Sequence, residues 1–295
     1  MEQHLLTPPR TGEVYEGLTL DEERALYGIR HALVKGCVFD GPADGESALK
    51  EARDVTLQAC DLRLRYPLWH VQGGRIKDCT LTDTCRAALW YTADVTLEDS
   101  TLGGIKALRE CDRTVLTGCD VSSAEFGWLC RGVEITDCRL AGEYPFFMTR
   151  DLHLTNTRLT GKYSFQYVEN CTITRSVLDT KDAFWHAKNV TVEESTVKGE
   201  YLGWYSEDLT LIRCHIVGTQ PLCYCKNLTL IDCTMEGCDL SFENSGVVAT
   251  VKGHVDSIKS PASGRITVDS VGEIVYERAP VDGSGCVITV GGDPT

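Results

Sequence analysis

The chain has 295 residues, with 43 acidic and 29 basic side chains and a formal net charge of −14 at pH 7. Nucleic-acid binding needs a dense Lys/Arg surface, which this sequence lacks, and an acidic polymer is also a poor overall match. No stretch approaches the roughly 18 apolar residues of a membrane span, and the N-terminus lacks the pattern of a signal peptide, so neither nucleic acid nor a membrane is an expected partner.

Residues 1–28 are predicted to form an N-terminal cap. Asp21 precedes the short amphipathic stretch EERALYG, which ends at Gly28, and this pattern favours a short capping helix. The loop DGPADG and the stretch ESALKEA follow, and we expect a loop and then a helical turn. The loop carboxylates do not have EF-hand spacing, so a structured turn is favoured over calcium binding.

A small, cysteine-like residue then recurs down the chain. The interval is 19 residues, apart from the first interval of 23 and a later one of 21. A short fixed period of this kind is typical of a stacked repeat. The column consists of Cys37, Cys60, Cys79, Ser100, Cys119, Cys138, Thr157, Ser176, Ser195, Cys214 and Cys233.

Each repeat has the same apolar pattern around the cysteine-like residue. Apolar residues stand five and three positions before it and two after it, as Leu152, Leu154 and Leu159 do around Thr157. This pattern predicts two short strands separated by a bend. Glycine recurs four positions after the column and Asp or Asn six before it, where corners need left-handed backbone.

The last third of each repeat is rich in aromatic and β-branched residues, as in YSFQYV and DAFWHA, and has no helical pattern. We therefore predict an all-β fold, a single-stranded right-handed parallel β-helix of about eleven coils over residues 29–245, with three strands per coil. Residues 246–295 should form an irregular β-cap. The alternative is a leucine-rich repeat, whose strand signature L-x-L-x-x-C-x-L also fits, although the repeat lacks a helical half.

The fifteen cysteines are odd in number, and most fall on inward positions of the repeat. Small buried thiols in a reducing cytoplasm are therefore the prediction. The alternative is that stacked cysteines one coil apart form disulfides if oxidised.

The coil pattern resembles the right-handed β-helix proteins of the pectin-lyase-like superfamily. The segments FDGPADGESALKE, LRYPLWH, GIKALREC, KDAFWHAKN and GTQPLCYC resemble an uncharacterised bacterial family of that architecture, over roughly residues 15–275. Many superfamily members bind or cleave polysaccharides, so the resemblance implies a carbohydrate-like ligand, small or polymeric. It transfers no catalytic motif, because the Asp clusters and the Arg/Lys base of the known lyases and hydrolases have no match here.

Aromatic residues of the last third are predicted to form a stripe on the surface. Small residues such as Ala187 at its end should point inward, and a strand alternates its faces. An exposed aromatic stripe usually marks a binding surface, although the opposite parity would make it core. The predicted ligand-binding residues of the stripe are Phe146, Phe165, Tyr167, Phe184, His186, Tyr205 and Tyr224.

Charged residues follow the corner glycine beside this stripe. Stacking would place Asp182 and Glu200 about 5 Å apart and Glu143 about 10 Å from Asp182, which brackets the two geometries of glycoside hydrolysis. These three are the candidate catalytic residues, and Lys162 and Lys181 are candidate ligand contacts. The alternative is a charge ladder in which the lysines neutralise their neighbours.

Two functions follow from these patterns. The first is a cytoplasmic β-helix that binds a carbohydrate-like ligand along the aromatic side, with hydrolase or lyase-like turnover left open. The second is a non-enzymatic scaffold whose stripe is a homo-oligomer interface. No cofactor or metal site is predicted, because the sequence has no C-x-x-C pair, nucleotide loop or nucleophile elbow.

Overall fold

A computed structural model describes residues 12–42, 45–277, 285–291 and 293–294. The chain is an all-β, right-handed parallel solenoid of about 14 turns, which we call coils. No α-helix occurs in these residues, and the one helical segment is the 3-10 turn Asp83–Cys85.

The strands of the first half are β1 (Val14–Glu16), β2 (Thr19–Leu20), β3 (Leu33–Lys35), β4 (Val38–Phe39), β5 (Arg53–Gln58), β6 (Asp61–Leu62), β7 (Leu68–Trp69), β8 (Gln72–Lys77), β9 (Thr80–Leu81), β10 (Leu89–Trp90), β11 (Ala93–Glu98), β12 (Thr101–Leu102), β13 (Leu108–Arg109), β14 (Asp112–Thr117) and β15 (Asp120–Ser122). Those of the second half are β16 (Arg131–Thr136), β17 (Arg139–Gly142), β18 (Arg150–Thr155), β19 (Arg158–Lys162), β20 (Glu169–Thr174), β21 (Val177–Lys181), β22 (Lys188–Glu193), β23 (Thr196–Lys198), β24 (Glu207–Ile212), β25 (His215–Val217), β26 (Leu228–Glu236), β27 (Gly246–Lys259), β28 (Ser263–Val275), β29 (Cys286–Val290) and β30 (Asp293–Pro294).

Strands of successive coils pair in parallel and in register. In β18 and β20, Leu152 lies opposite Cys171 and Leu154 opposite Ile173, so the inward side chains of each coil stack on those of the next. The predicted apolar columns are all buried, as Leu154 and Leu159 illustrate. Each buried Leu or Ile contributes roughly 1.5–3 kcal/mol, and the fold is stable because this contribution repeats along the rod.

Hydrogen bonds at the bends explain why the cysteine-like column consists of Cys, Ser and Thr. At the bend between the two strands, the Thr157 amide donates to Ser176 Oγ over 3.0 Å, and that hydroxyl donates to the Thr174 carbonyl over 2.9 Å. Cysteine has the same two roles at Cys138, which accepts from the Cys119 amide and donates to Thr136. A small side chain that both donates and accepts is needed there, since the buried bend amide has no strand partner.

The prediction of left-handed backbone at the corner glycines holds at Gly104 and Gly237 but is wrong at Gly142 and Gly161. A Cβ at Gly161 would lie 1.8 Å from the Gly142 carbonyl oxygen of the coil below, so the close approach of the coils requires glycine. Asn170 and Asn189, in the Asx column, have left-handed backbone, and the side-chain Nδ2 of Asn189 donates to Asn170 Oδ1 over 2.9 Å. The predicted left-handed backbone of the Asx column is confirmed, and its side chains are hydrogen-bonded to one another between coils.

The last third of the repeat is a strand in only a few coils. β7, β10 and β13 form a small three-stranded sheet, whereas later coils consist of turns in this region. There, alternate residues have left-handed backbone, as at Tyr163, Phe165 and Tyr167, with φ values of 56°, 60° and 57°. The prediction of three strands per coil is therefore wrong for most of the rod.

The coil count and both caps also differ from the predictions. The stretch EERALYG is not a helix but a series of turns that bonds to ESALKEA, for example from the Arg24 amide to the Glu46 carbonyl over 3.0 Å. These stretches are early coils, because β1 also pairs in parallel with β3. At the other end, the long strands β27 and β28 continue the parallel stack, and among the described strands only β30 pairs antiparallel, with β29. Residues 1–11 of the predicted cap lie outside the described residues.

The fifteen cysteines are all unbridged, fourteen of them buried and Cys286 half-buried. Burial raises the pKa of the Cys85 thiol to about 12 and that of Cys225 to about 11, so these thiols are neutral and unreactive at neutral pH. Their role here is packing and hydrogen bonding. The cytoplasmic location stays a prediction.

Candidate ligand-binding surface

Two of the aromatic columns along the turn segments contain the residues predicted to form the stripe, and of these two only one reaches the surface. Phe146, Phe165 and Phe184 are fully buried and stack with centroid separations of 5.2 and 4.8 Å. Their predicted place in an exposed stripe is wrong, because the segment is not a strand. In this turn conformation two neighbouring residues point inward and the next two outward, so the alternation used for the prediction does not apply.

The exposed column consists of Tyr167, His186, Tyr205 and Tyr224, which we call the outer ladder. Adjacent ring centroids lie 4.9, 5.1 and 4.9 Å apart, with interplanar angles of 9°, 9° and 13°. Tyr167 is 44% and Tyr205 47% exposed, His186 is exposed and Tyr224 is half-buried. The predicted exposure of this part of the stripe is confirmed.

The ring faces within the outer ladder are covered by the neighbouring rings. A sugar that stacks on an aromatic face therefore has no free face at His186 or Tyr205, and the ladder presents ring edges, hydroxyls and imidazole nitrogens. The surface is thus suited to hydrogen bonding along its length rather than to face stacking.

Two tryptophans support the ladder from the side. Trp185 and Trp204 are half-buried and stack with a centroid separation of 5.6 Å and an interplanar angle of 6°. Their indole N–H groups donate over 2.8 Å to the carbonyls of Tyr201 and Gln220 in the next coil. These bonds fix the aromatic surface to the backbone, and the repeated Trp residues were the sequence signal for them.

Opposite charges line the free flank of the outer ladder. Arg150, Glu169, Lys188 and Glu207 occupy the first positions of β18, β20, β22 and β24 and lie opposite one another in register. Arg150 and Glu169 form an ion pair of 3.3 Å. This row is a charge ladder and leaves the aromatic surface bordered by compensated charges.

The corner residues on the other flank divide into two groups. Lys162 and Glu143 form an ion pair of 2.6 Å, and this contact raises the pKa of Lys162. The alternative of a charge ladder is therefore correct for this pair. In the same two coils, the adjacent residues Tyr144 and Tyr163 stack with their ring centroids 4.7 Å apart.

Asp182 has a different environment. It is only 7% exposed, and no hydrogen bond or ion pair reaches its carboxylate from any residue that the structure describes. Burial raises the pKa of this carboxyl, the Glu200 charge raises it further, and Lys181 lowers it. The Asp182 amide donates to the Glu200 carbonyl over 2.8 Å, so the two residues stand on neighbouring coils as predicted.

A second aromatic group lies nearer the N-terminal end at the same repeat position. His70 Nδ1 lies 3.1 Å from Glu51 Oε1, and the His70 ring contacts Tyr91 edge to face at 5.4 Å. With Arg53 and Gln72 these residues line an open concavity of about 570 Å³. His70 is thus hydrogen-bonded to Glu51.

Within the described ranges, no helix is long and apolar enough to cross a membrane. The same part of the chain contains no group of three or more His, Cys, Asp or Glu residues arranged to hold a metal ion.

The fold and the outer ladder define the class of this protein, a right-handed parallel β-solenoid with an exposed aromatic surface. Within that class, the chain belongs to the family described as "Protein of unknown function (DUF3737)", which matches residues 13–289. No curated protein sequence matches the chain.

Several solved structures are similar in fold. The catalytic domain of a GH87 alpha-1,3-glucanase in complex with tetrasaccharides is 9% identical with a TM-score of 0.30, over 95% of this chain and 64% of that chain. The periplasmic alginate epimerase AlgG is 10% identical with a TM-score of 0.23, over 95% and 73%. The tailspike protein of E. coli bacteriophage HK620 in complex with hexasaccharide is 10% identical with a TM-score of 0.23, over 93% and 58%.

The chain thus spans less than two thirds of the glucanase domain and of the tailspike. At these identities the likeness concerns the fold alone. Membership of the pectin-lyase-like superfamily stays a prediction.

Proposed function

We propose that the protein binds a carbohydrate-like chain that lies along the solenoid axis against the outer ladder. The observation that carries the proposal is the regular presentation of polar ring edges, with Tyr167 and Tyr205 44% and 47% exposed. Tyrosine hydroxyls and the His186 imidazole repeat at centroid separations of 4.9–5.1 Å. A ligand of repeating hydroxyl-bearing units offers a matching row of hydrogen-bond partners.

The ladder is also held in place before any ligand arrives. Its rings are fixed by mutual stacking, and Trp185 and Trp204 beside it are bonded to the backbone. Rigid aromatic side chains lose little conformational entropy on binding, so more of the contact free energy contributes to affinity.

A separate observation favours a second function, hydrolysis of the bound chain. Glycoside hydrolysis uses one protonated acid and one ionised carboxylate. The raised pKa of Asp182 suits the acid, and Glu200 on the neighbouring coil suits the nucleophile or base. Glu143 is less suited, because Lys162 holds it in an ion pair.

Binding is tested with a glycan array, followed by calorimetry of the ligands that it finds. Tyr167→Ala and Tyr205→Ala should each weaken binding about tenfold or more, because each removes an exposed ring and its hydroxyl from the ladder. Tyr91→Ala is the matched control, since Tyr91 is exposed at the same repeat position but lies outside the outer ladder. Equal affinities of all three variants, or no glycan ligand at all, would contradict the proposal.

The same variants test the scaffold alternative. If the protein is an oligomer in analytical ultracentrifugation and Tyr167→Ala and Tyr205→Ala convert it to monomers, the ladder is a homo-oligomer interface. Turnover is measured as release of reducing ends. Glu200→Gln should abolish it while leaving affinity unchanged, and a wild-type protein without turnover removes the hydrolase function and keeps the binding one.

A further inference from the structure

The residues six positions after the cysteine-like column form a second stack beside the outer ladder. We call Tyr144, Tyr163, Asp182, Tyr201 and Gln220 the corner column. Backbone bonds from the Tyr163 amide to the Lys181 carbonyl and from the Asp182 amide to the Glu200 carbonyl, both 2.8 Å, fix the register of the successive coils. Aspartate thus takes the place of a tyrosine between Tyr163 and Tyr201.

We call the level of one coil within this column a rung. The replacement leaves the rung of Asp182 without an aromatic ring. Where two tyrosines do occupy adjacent coils, Tyr144 and Tyr163, their rings stack at 4.7 Å. Tyr163 and Tyr201 are two coils apart, about 10 Å, and the Asp182 side chain is shorter than a tyrosine by the whole ring. A ligand ring at this open rung would lie one coil spacing from each tyrosine, which is the separation of stacked rings.

Asp182 itself defines the charge that the open rung accepts. Asp182 is only 7% exposed and its carboxylate has no hydrogen bond from the described residues, so pairing with a cation or a strong donor offsets the cost of its burial. Glu200 lies on the next coil, and the whole chain carries a net charge of −14. Both favour a positively charged ligand over a neutral or acidic one, whereas the charge of Lys181, which lowers the pKa of Asp182, opposes this preference.

We propose that the open rung between Tyr163 and Tyr201 binds an amino-sugar ring, whose ammonium group pairs with Asp182. The proposal rests on the proposed carbohydrate binding and names its class: a cationic, amine-bearing saccharide. The C–H faces of the ring pack against the two tyrosines, while the rest of the chain extends along the outer ladder. An ammonium beside aromatic rings gains a further cation–π attraction.

The ionisation of Asp182 supports this assignment. Without a ligand, burial raises the pKa of the carboxyl, and an ammonium partner lowers it again. Binding of the amine is therefore coupled to release of a proton. Hydrolysis would need the opposite state, a protonated Asp182, so the two roles of this residue are separable by experiment.

The test compares two oligosaccharides that differ in one group. Chitosan pentamer and chitin pentamer have the same backbone, but the first bears amines and the second bears acetamides. By calorimetry at pH 6, the wild-type protein should bind the chitosan pentamer at least tenfold tighter. Asp182→Asn should abolish this preference, and Asp179→Asn, which alters an exposed carboxylate paired with Lys198 three residues away, should retain it.

A second variant tests the open rung rather than the charge. Asp182→Tyr gives this coil the residue that the neighbouring coils have at the same left-handed backbone position, so the protein should fold. The new ring fills the rung, and binding of the chitosan pentamer should fall at least tenfold. An unchanged affinity would overturn the proposal.

Failure of this inference is distinguishable from failure of the proposed function. If both pentamers bind equally, or other glycans bind and these do not, and Tyr205→Ala weakens that binding, the amino-sugar assignment is wrong and the ladder function stands. If no glycan binds at all, the proposed function and this inference both fail.

Discussion

The buried phenylalanine column and the outer ladder lie two residues apart in the same coils. They share backbone conformation and ring stacking but differ in burial. Phe165 and Tyr167 both have left-handed backbone, and both belong to parallel stacks with centroids about 5 Å apart. Yet Phe165 is fully buried, whereas Tyr167 is 44% exposed.

The difference shows that stacking does not require burial in this fold. The interior is already closed by Phe165 and by the small buried residues that follow the ladder, such as Val168 and Ala187. The outer rings thus add little to the core, and a run of exposed rings that the fold does not need is best explained by a partner.

The largest expected effect separates the two columns directly. Phe165→Ala should lower the free energy of unfolding by about 3–5 kcal/mol, because it leaves a cavity between Phe146 and Phe184. Tyr167→Ala should cost no more than about 1 kcal/mol. Urea unfolding of both variants measures this, and similar losses would mean that the outer ladder is part of the core.

A smaller loss of stability is expected when the hydrogen-bonding side chain at a buried bend is removed. Ser176→Ala should cost about 1–3 kcal/mol, because it leaves the Thr157 amide without its acceptor. Ser176→Cys should cost less than about 1 kcal/mol, since Cys138 has both hydrogen-bonding roles in its own coil. Equal losses in urea unfolding would show that size rather than hydrogen bonding selects this residue.

Asp182→Asn should stabilise the protein at neutral pH and raise Tm by about 2–4 °C. The folded state raises the pKa of this carboxyl, so stability is lost as pH rises from the ordinary carboxyl pKa through the raised one. Asparagine removes that loss and tolerates the left-handed backbone. Thermal unfolding should show the gain at pH 7 and none at pH 3, and a gain at both values would point to packing instead.

The smallest effect concerns the corner ion pair. Lys162→Ala or Glu143→Ala should leave Tm within about 2 °C of the wild type, because both side chains are substantially exposed and water screens their attraction. The difference should vanish in 1 M salt. A large, salt-independent loss in thermal unfolding would assign the pair a structural role.

The sequence was sufficient for the parts of the fold that repeat by residue type. The inward columns around Leu154, the bend residues such as Ser176 and the Asx corners at Asn170 follow from side-chain size and hydrogen-bonding capacity at a fixed period. Coils that deviate from the period, such as EERALYG, were mistaken for a helix. Their cysteine-like column is absent, and only the backbone bonds to the next coil reveal them.

The candidate site was predictable only in part. Aromatic residues such as Phe184 and His186 indicated a stripe, but their directions depend on alternating left-handed backbone that non-glycine residues adopt rarely. The coil spacing correctly placed Asp182 beside Glu200. The open rung was not predicted, because it depends on which residues stack on Asp182 in the neighbouring coils and not on its neighbours along the chain.

The hydrogen bonds at the bends have a consequence for how this protein can evolve. The Ser176 hydroxyl accepts a hydrogen bond from the Thr157 amide of the preceding coil, and the Ser195 hydroxyl accepts one from the Ser176 amide. Each coil therefore depends only on its immediate neighbours. Duplicating the nineteen codons of residues 177–195 would insert one complete layer without breaking any junction. Gain or loss of whole repeats can therefore change the length of the solenoid and match it to the length of its ligand.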